Sequence, residues 1–470
     1  MKLCAFLNPS HIPFALFEQS SSSHFTAKTV LESYPPQQSD RIFISDLEEI
    51  LGRTWDEIAF RMIVESASRA SFINVSTDGL FYTIHPAIQG YIKDSFGEEE
   101  IMKYTRAAAQ LLLGAMRSFE STTAQRWQLL PHINCIPRSV QSENVAHALA
   151  FHDFYDSLGD WKACQDLLRP VFSKVLGTRG QRNEISIWLM ENLAHTLSKL
   201  GYLHEAENMQ RDVFSLRLQM RGIQDPDTAK AMNNLADTLH QLGQLEEAEK
   251  MKRDVLALRL KVLGPRHLDT ITTMDSLAST LDKCGRLQEA EEMRHAVLAL
   301  RVEILGRRHL DTISTMQSLA NTLHKRGQLD KAEEMKRYVL AARVEILGRR
   351  HPDTITTMDE LANTLHRRGQ LDAAEKIHRD VLSVRLQTLG QNHPDTIRTM
   401  GNLANTLRQL GQLDEAEKMH RNVLNLRREL LGKQHPDTIW TMKNLASTLQ
   451  KRGKLEEAEK MRWDALALSR

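Results

Sequence analysis

The chain has 470 residues, of which 41% are hydrophobic, and its 61 Lys and Arg nearly balance 60 Asp and Glu to leave a net charge of +1. A chain without a strong net field does not attract nucleic acid or acidic lipid, so we expect a protein or peptide partner, no nucleic acid and no membrane. No apolar run approaches the ~18 to 20 residues that a membrane-spanning helix needs.

The cysteines are few and widely separated. Cys4, Cys135, Cys164 and Cys284 include no C-x-x-C pair. This usage is typical of reduced thiols in an intracellular protein, which we place in the cytoplasm, and it predicts neither a disulfide framework nor a zinc site.

Residues 1–140 differ in composition and pattern from the rest of the chain. A Ser- and Pro-rich stretch at about 18–40 predicts a loop, helical spacing follows, and "FINVSTDGLFYTIHP" alternates around Asp78-Gly79 as a short β-hairpin does. Helix, helix, hairpin is the order of a winged helix, here followed by a helical linker. This part holds 12 Lys and Arg against 15 Asp and Glu, which argues against DNA binding.

The rest of the chain repeats every 42 residues. Asp-Thr pairs, Leu-Ala pairs, glycines and alanines all keep this step, which gives seven repeats in residues 183–470. A degenerate repeat precedes them in residues 141–182, because Cys164 falls one period before Ala206. The alanine that recurs in the second half of each repeat stands at these positions: Ala206, Ala248, Ala290, Ala332, Ala374, Ala416 and Ala458.

Each repeat is predicted to be a helical hairpin. In the repeat "HPDTITTMDELANTLHRRGQLDAAEK" (351–376), apolar residues recur at intervals of three and four, Gly369 interrupts the pattern, and a second amphipathic stretch ends near Gly390. Pro and Asp suit the start of the next helix. Ala362 and Ala374 are small enough to let the two helices approach closely. We therefore expect an all-α fold, an α-solenoid of hairpins preceded by a small winged-helix-like α+β module.

The histidines that precede the repeats do not predict a chemical site. Equivalent positions on stacked hairpins lie about 10 Å apart, whereas zinc needs its ligands within about 2.1 Å. Identical residues repeated along a solenoid also fail to converge on a reacting atom, so we expect no metal, no cofactor and no enzyme activity. His85, in "TIHPAIQ", is expected to have a structural role. The connector histidines are His267, His309, His351, His393 and His435.

Two charged columns are expected to be structural. Arginines on the second helix, at 217, 259, 301, 343, 385 and 427, are predicted to form ion pairs with the Asp of the following connector. Glutamates at 207, 249, 333, 375 and 417 each precede an Arg by four residues, which predicts pairs on a solvated helix face.

The repeated motif resembles a known family. L-A-x-x-L-x-x-x-G-x-L-x-x-A with an L-G-x-x-H-P-D-T connector is similar to the long form of the tetratricopeptide repeat, as in kinesin light chain. The resemblance covers residues 141–470 and implies an α-solenoid whose first helices line a concave groove.

A second resemblance concerns the N-terminal part. "CAFLNPSHIPFALF", "SFINVSTDGLFYTIHPAIQGYIKD", "RAAAQLLLGA" and "RWQLLPHI" look like the winged-helix region of fungal STAND proteins, which carry an NB-ARC nucleotide-binding domain before it and tetratricopeptide repeats after it. The chain contains no G-x-x-x-x-G-K-[ST] phosphate loop, so we expect a truncated relative or gene fragment. Two alternatives stay open beside a scaffold: the sensor part of a STAND protein, and a cargo adaptor like kinesin light chain.

The candidate binding residues lie on the first helix of each repeat. The resemblance implies that these positions face the groove, where an Asn amide can both donate to and accept from a peptide backbone and a basic side chain can pair with an acidic ligand. The alternative is a merely solvated helix face. At the C-terminus, "WDALALSR" lacks a polar capping helix, so we expect self-association there or a shortened chain. The candidates are Asn192, Asn234, Asn321, Asn363, Asn402, Asn405, Asn444, His324, His366, Lys325 and Arg367.

Overall fold

The computed structural model describes residues 3–20, 57–117 and 123–468. The chain divides into two compact units, Met1–Gln244 and Leu245–Arg470. The predicted loop at 18–40 lies almost entirely outside the described residues. The domain boundary near residue 140 stays a prediction.

The first unit opens with a small module of sheet and helices. Strands β1 (Ile12–Pro13), β2 (Ile73–Val75) and β3 (Phe81–Ile84) form an antiparallel sheet in the order β1-β3-β2. A 3-10 helix (Leu3–Phe6) precedes them. The helices of the module are α1 (Phe14–Ser20), α2 (Glu57–Arg69), α3 (Pro86–Asp94), α4 (Glu98–Arg117), α5 (Thr123–Ile133) and α6 (Arg138–Gln141).

The hairpin between β2 and β3 is the one that the sequence predicts. Ile73 pairs with Ile84, and the turn is closed by Asp78, whose Oδ1 accepts a hydrogen bond of 3.0 Å from the N–H of Leu80. Gly79 has a φ of +71°, a conformation that costs glycine little. The assignment of the module as a winged helix stays a prediction, because residues 21–56, between its strands, lie outside the described residues.

Paired helices make up the remainder of both units, which confirms the predicted hairpins. The first unit contains α7 (Val145–Leu158), α8 (Trp161–Arg179), α9 (Glu184–Lys199), α10 (Leu203–Arg221) and α11 (Pro226–Leu242). The second unit contains α12 (Leu245–Val262), α13 (Leu268–Lys283), α14 (Leu287–Leu305), α15 (Leu310–Lys325), α16 (Leu329–Leu347), α17 (Pro352–Arg367), α18 (Leu371–Thr388), α19 (Pro394–Leu410), α20 (Leu413–Leu431), α21 (Pro436–Lys451) and α22 (Leu455–Leu468).

The core of a hairpin is built from the residues that the period singles out. Ala362 of α17 and Ala374 of α18 are both fully buried, and Ala374 packs against Leu361 and Leu365. Small side chains at this contact let the two helix backbones approach closely. In the second unit α17 also contacts α19, and α19 contacts α21, so the first helices of neighbouring repeats lie side by side.

Candidate functional site

A histidine stands directly before each of the five first helices in the second unit. His351 precedes α17 with an extended backbone, and its Nδ1 accepts a hydrogen bond of 3.2 Å from the N–H of Asp353. This N-cap satisfies one of the donors that a helix start leaves unpaired. His85 caps α3 in the same way through the N–H of Ala87, also at 3.2 Å. The other connector histidines cap their helices likewise: His267, His309, His393 and His435.

The predicted asparagines stand beside the buried apolar face of their first helices. Where Leu361 and Ala362 are buried, their neighbour Asn363 is half-buried, which places its amide at the border between the hairpin core and solvent. All seven candidate asparagines share this intermediate exposure: Asn192, Asn234, Asn321, Asn363, Asn402, Asn405 and Asn444.

These amides differ in their contacts. Asn192 donates from Nδ2 to the carbonyl of Trp188 at 2.8 Å, within its own helix. Asn405 accepts at Oδ1 from Arg408 at 3.2 Å. The Nδ2 of Asn444 is buried and has no hydrogen-bond partner among the described residues. A buried donor of this kind gains most from an added acceptor, because leaving it unpaired costs free energy.

The candidate histidines join neighbouring repeats. Nδ1 of His324 lies 3.0 Å from Oγ1 of Thr364, and Nδ1 of His366 lies 3.0 Å from Oγ1 of Thr406, so each bridges two successive first helices. Burial, together with the charge of Lys336 and other cations, lowers the pKa of His324 to about 4. Burial also lowers the pKa of His366. Both rings are therefore held neutral at pH 7.

The candidate basic residues are exposed but already engaged. Nζ of Lys325 lies 2.6 Å from Oδ2 of Asp282, and Arg367 donates to the carbonyl of His324 at 2.8 Å. Both contacts run from one first helix to the preceding one. The two side chains therefore brace the repeats as well as presenting positive charge on this face.

A column of buried polar residues on the second helices was missed by the sequence reading. It stands four residues after the recurrent alanine. Four of its side chains reach the first helix of the next repeat, as Lys336 does with Nζ 3.1 Å from Oγ1 of Thr364; the others that do so are Lys252, Arg294 and His420. Burial lowers the pKa of Lys336 to about 8. The 42-residue step is the signal that could have found the column. Its members are Gln210, Lys252, Arg294, Lys336, His378 and His420.

The second-helix arginines behave differently from the prediction. Arg217 forms the expected ion pair with Asp227, at 3.3 Å. Arg343 instead donates to the main-chain carbonyl of Asp353 at 3.0 Å and to Oγ1 of Thr357 at 2.7 Å. The acceptor differs because Thr357 offers a hydroxyl at a position where Ala231 stands in the helix after Arg217. The same pattern recurs at Arg259, Arg301, Arg385 and Arg427.

The prediction that the repeated Glu-Arg pairs are merely solvated is wrong in part. Arg421 contacts Glu417 at 3.0 Å, as the spacing indicates. Glu417 is nevertheless only 5% exposed, because Arg452 and Lys454 of the next repeat also close over it. Burial raises the pKa of Glu417, but its hydrogen bonds with Lys454, Arg421 and Arg452 outweigh that effect and hold the pKa below its ordinary value. Such pairs therefore connect repeats.

The described residues contain one trio of potential metal ligands, at a place where the sequence predicts none. His152, Asp156 and Cys164 offer ligand atoms that all lie within 4.8 Å of one another. None of the described helices is both long and apolar enough to cross a membrane.

Stacked helical hairpins with a fixed period and a polar face along the first helices define an α-solenoid repeat protein. Models of the tetratricopeptide repeat match residues 227–293, 283–343, 353–421 and 395–470, and another matches residues 186–227. The chain belongs to the tetratricopeptide-repeat family. No curated protein matches it significantly.

Several solved structures are similar to the chain. Tetratricopeptide-like repeats of a putative kinesin light chain from Podosopora anserina are 26% identical, with a TM-score of 0.39, over 43% of this chain and 96% of that one. A Pyrococcus horikoshii signal transduction ATPase (STAND) with a tetratricopeptide repeat sensor is 12% identical, with a TM-score of 0.50, over 97% of this chain and 63% of that one. A Rap protein complexed with Competence and Sporulation Factor is 11% identical, with a TM-score of 0.47, over 73% of this chain and 91% of that one.

Proposed function

We propose that the chain is a binding scaffold that holds an extended, acidic peptide segment of a protein partner along the first helices of the second unit. The observation that carries the proposal is the column of half-buried amides, in which Asn321, Asn363 and Asn405 recur at 42-residue intervals on successive first helices. An extended peptide needs donors and acceptors at regular intervals, and an amide supplies both.

The surroundings of the amides suit such a ligand. Apolar neighbours such as Leu361 and Leu403 are buried, so the amides are held on stiff helices. His324 and His366 tie neighbouring helices together through Thr364 and Thr406. A ligand site held in this way loses little conformational entropy on binding.

Charge favours an acidic peptide. Lys325 and Arg367 are exposed on this face, and half-buried Arg408 donates to Asn405 and to Ser447. Burial lowers the pKa of Arg408, which forms no ion pair with a carboxylate among the described residues. A ligand carboxylate would supply the missing charge, with bidentate geometry that favours Arg.

A second candidate function rests on the order of the parts. A small sheet-and-helix module precedes the repeats here, and the STAND protein with a tetratricopeptide repeat sensor shares a fold with nearly the whole chain. The repeats would then act as the sensor of a signalling assembly. Peptide binding on the first helices is common to both candidates.

The test uses the full chain and a displayed library of random peptides. Peptides selected by binding are expected to be enriched in Asp and Glu and to lose affinity as salt is raised. Asn363→Ala combined with Asn405→Ala is expected to weaken binding about tenfold, since each lost hydrogen bond contributes about 0.5 to 1.5 kcal/mol.

The matched control is Asn425→Ala, which removes an exposed amide from the second helix α20. It is expected to leave binding unchanged, and circular dichroism is expected to be the same for all variants. Equal affinity of the double variant and the parent chain, or selected peptides without acidic residues, would overturn the proposal.

A further inference from the structure

The first hairpin of the repeats departs from the others at its closest contact. In each later repeat an alanine of the first helix and an alanine of the second are buried in the hairpin, as Ala194 and Ala206 are. One period earlier, these two positions are occupied by His152 on α7 and Cys164 on α8. Two side chains that can bind metals replace two that can only pack.

A third ligand completes the group. Asp156 follows His152 by four residues and therefore shares its face of α7. The ligand atoms of His152, Asp156 and Cys164 lie within 4.8 Å of one another. His152 is 3% exposed and Cys164 is fully buried, while Asp156 is half-buried and borders solvent.

The interior of this group lacks the partners that a purely structural role would require. Nε2 of His152 is buried and has no hydrogen-bond partner among the described residues, although Nδ1 lies 3.3 Å from Oδ1 of Asp153. Among the described residues, the thiol of Cys164 donates one long hydrogen bond, of 3.8 Å, to the carbonyl of His152. A bound ion is one of the partners that can satisfy a buried polar atom of this kind.

The local charge favours a cation. The carboxylates of Asp153, Asp156 and Asp160 all act electrostatically on the buried thiol of Cys164. These acidic side chains attract a divalent cation, and a thiol that coordinates such an ion loses its proton.

We infer that His152, Asp156 and Cys164 form a binding site for one thiophilic divalent cation of the Zn²⁺ class. Imidazole, carboxylate and thiolate are all ligands of zinc, and three protein ligands leave a fourth position for water. Binding of the cation displaces the thiol proton to solvent, while the carboxylate and the neutral imidazole coordinate as they stand.

The geometry requires only a small adjustment. With bonds of about 2.0 to 2.3 Å, ligand atoms around tetrahedral zinc lie roughly 3.3 to 3.8 Å apart. Side-chain rotations that move the ligand atoms by about 1 Å bring the three residues to that spacing. The bound ion would clamp α7 to α8 where the other hairpins rely on alanine packing.

The experiment uses the full chain, reduced and stripped of metal, with Co²⁺ as an optical probe and Zn²⁺ as competitor. One Co²⁺ per chain is expected, with a thiolate-to-metal charge-transfer band that Zn²⁺ abolishes. Cys164→Ala is expected to remove that band, and His152→Ala is expected to weaken Zn²⁺ binding at least about tenfold.

Both variants restore the alanine of the later repeats, so they should fold and be as stable as the metal-free parent. Cys135→Ala and Cys284→Ala remove the exposed and half-buried thiols elsewhere and serve as matched controls that keep the band. Absence of the band in the parent chain would overturn the inference. A band that persists in Cys164→Ala, or that is lost in either control, would do so as well.

Discussion

Nη1 of Arg385 lies 3.1 Å from Oδ2 of Asp359, and both side chains are buried between two repeats. His378 completes the group, with Nδ1 3.3 Å from the other oxygen of the same carboxylate. Burial raises the pKa of Asp359, but His378 and the charge of Arg385 outweigh that effect and hold it below its ordinary value. The pairing recurs in two other repeats, where Glu191 lies 2.7 Å from Nε of Arg217 and Asp275 lies 3.0 Å from Nη1 of Arg301. Gln317, Gly401 and Lys443 occupy the position in three further repeats, so the carboxylate is an addition to the Arg-Thr contact in only some of them.

Breaking this buried pair is expected to destabilise the second unit. Asp359→Ala leaves Arg385 and His378 without their carboxylate and should lower the free energy of unfolding by about 3 kcal/mol. Denaturant unfolding measures the change, and a double-mutant cycle with Arg385→Leu isolates the pair. Additive single effects would show that the two side chains do not interact as the geometry indicates.

Mild acid is expected to destabilise the protein through a buried histidine. Burial and the charge of Arg408 lower the pKa of His420 to about 4, and its Nδ1 lies 3.1 Å from Oγ1 of Thr448. Because the unfolded chain binds a proton near pH 6.5 and the folded chain only near pH 4, stability falls as the pH drops across that interval, by about 2 to 3 kcal/mol for this residue.

The variant that tests this is His420→Gln, since Gln210 occupies the same position of an earlier repeat. It should flatten the decline in melting temperature between pH 6.5 and 4, although His324, whose pKa is also lowered to about 4, still contributes. His295→Gln, at an exposed position, is the control. A decline of the same slope in His420→Gln and the parent would contradict the assignment.

Overpacking is expected at the closest contact of a hairpin. Ala374 is fully buried between α17 and α18, so Ala374→Leu should cost roughly 1 to 3 kcal/mol in the free energy of unfolding. Ala373→Leu is the matched control, because Ala373 is exposed one residue earlier on the same helix. Thermal unfolding compares the two, and equal melting temperatures would show that the contact is not close.

The residues that recur in each repeat predicted the hairpins because helix periodicity is a local property. The spacing of Ile355, Met358, Leu361 and Leu365 defines an apolar stripe without reference to any other part of the chain. The capping role of His351 was predicted only in outline: its place before the helix was expected, but its ring as the acceptor was not.

The polar contacts between repeats could not be predicted in this way. Glu417 is solvated in an isolated helix, and only the arrival of Arg452 and Lys454 from the next repeat buries it. The same holds for Lys336, whose burial depends on the first helix that carries Thr364. The exposure of a polar residue beside the apolar stripe is set by the side chains that the next repeat packs against it.

The sequence by itself determined the period, the helical hairpins, the small residues at their contacts and the family. Those features depend on residues that are close in the chain. The tertiary structure decided which polar side chains are buried and which meet across repeats, including the approach of His152 to Cys164, because these contacts depend on how successive helices pack.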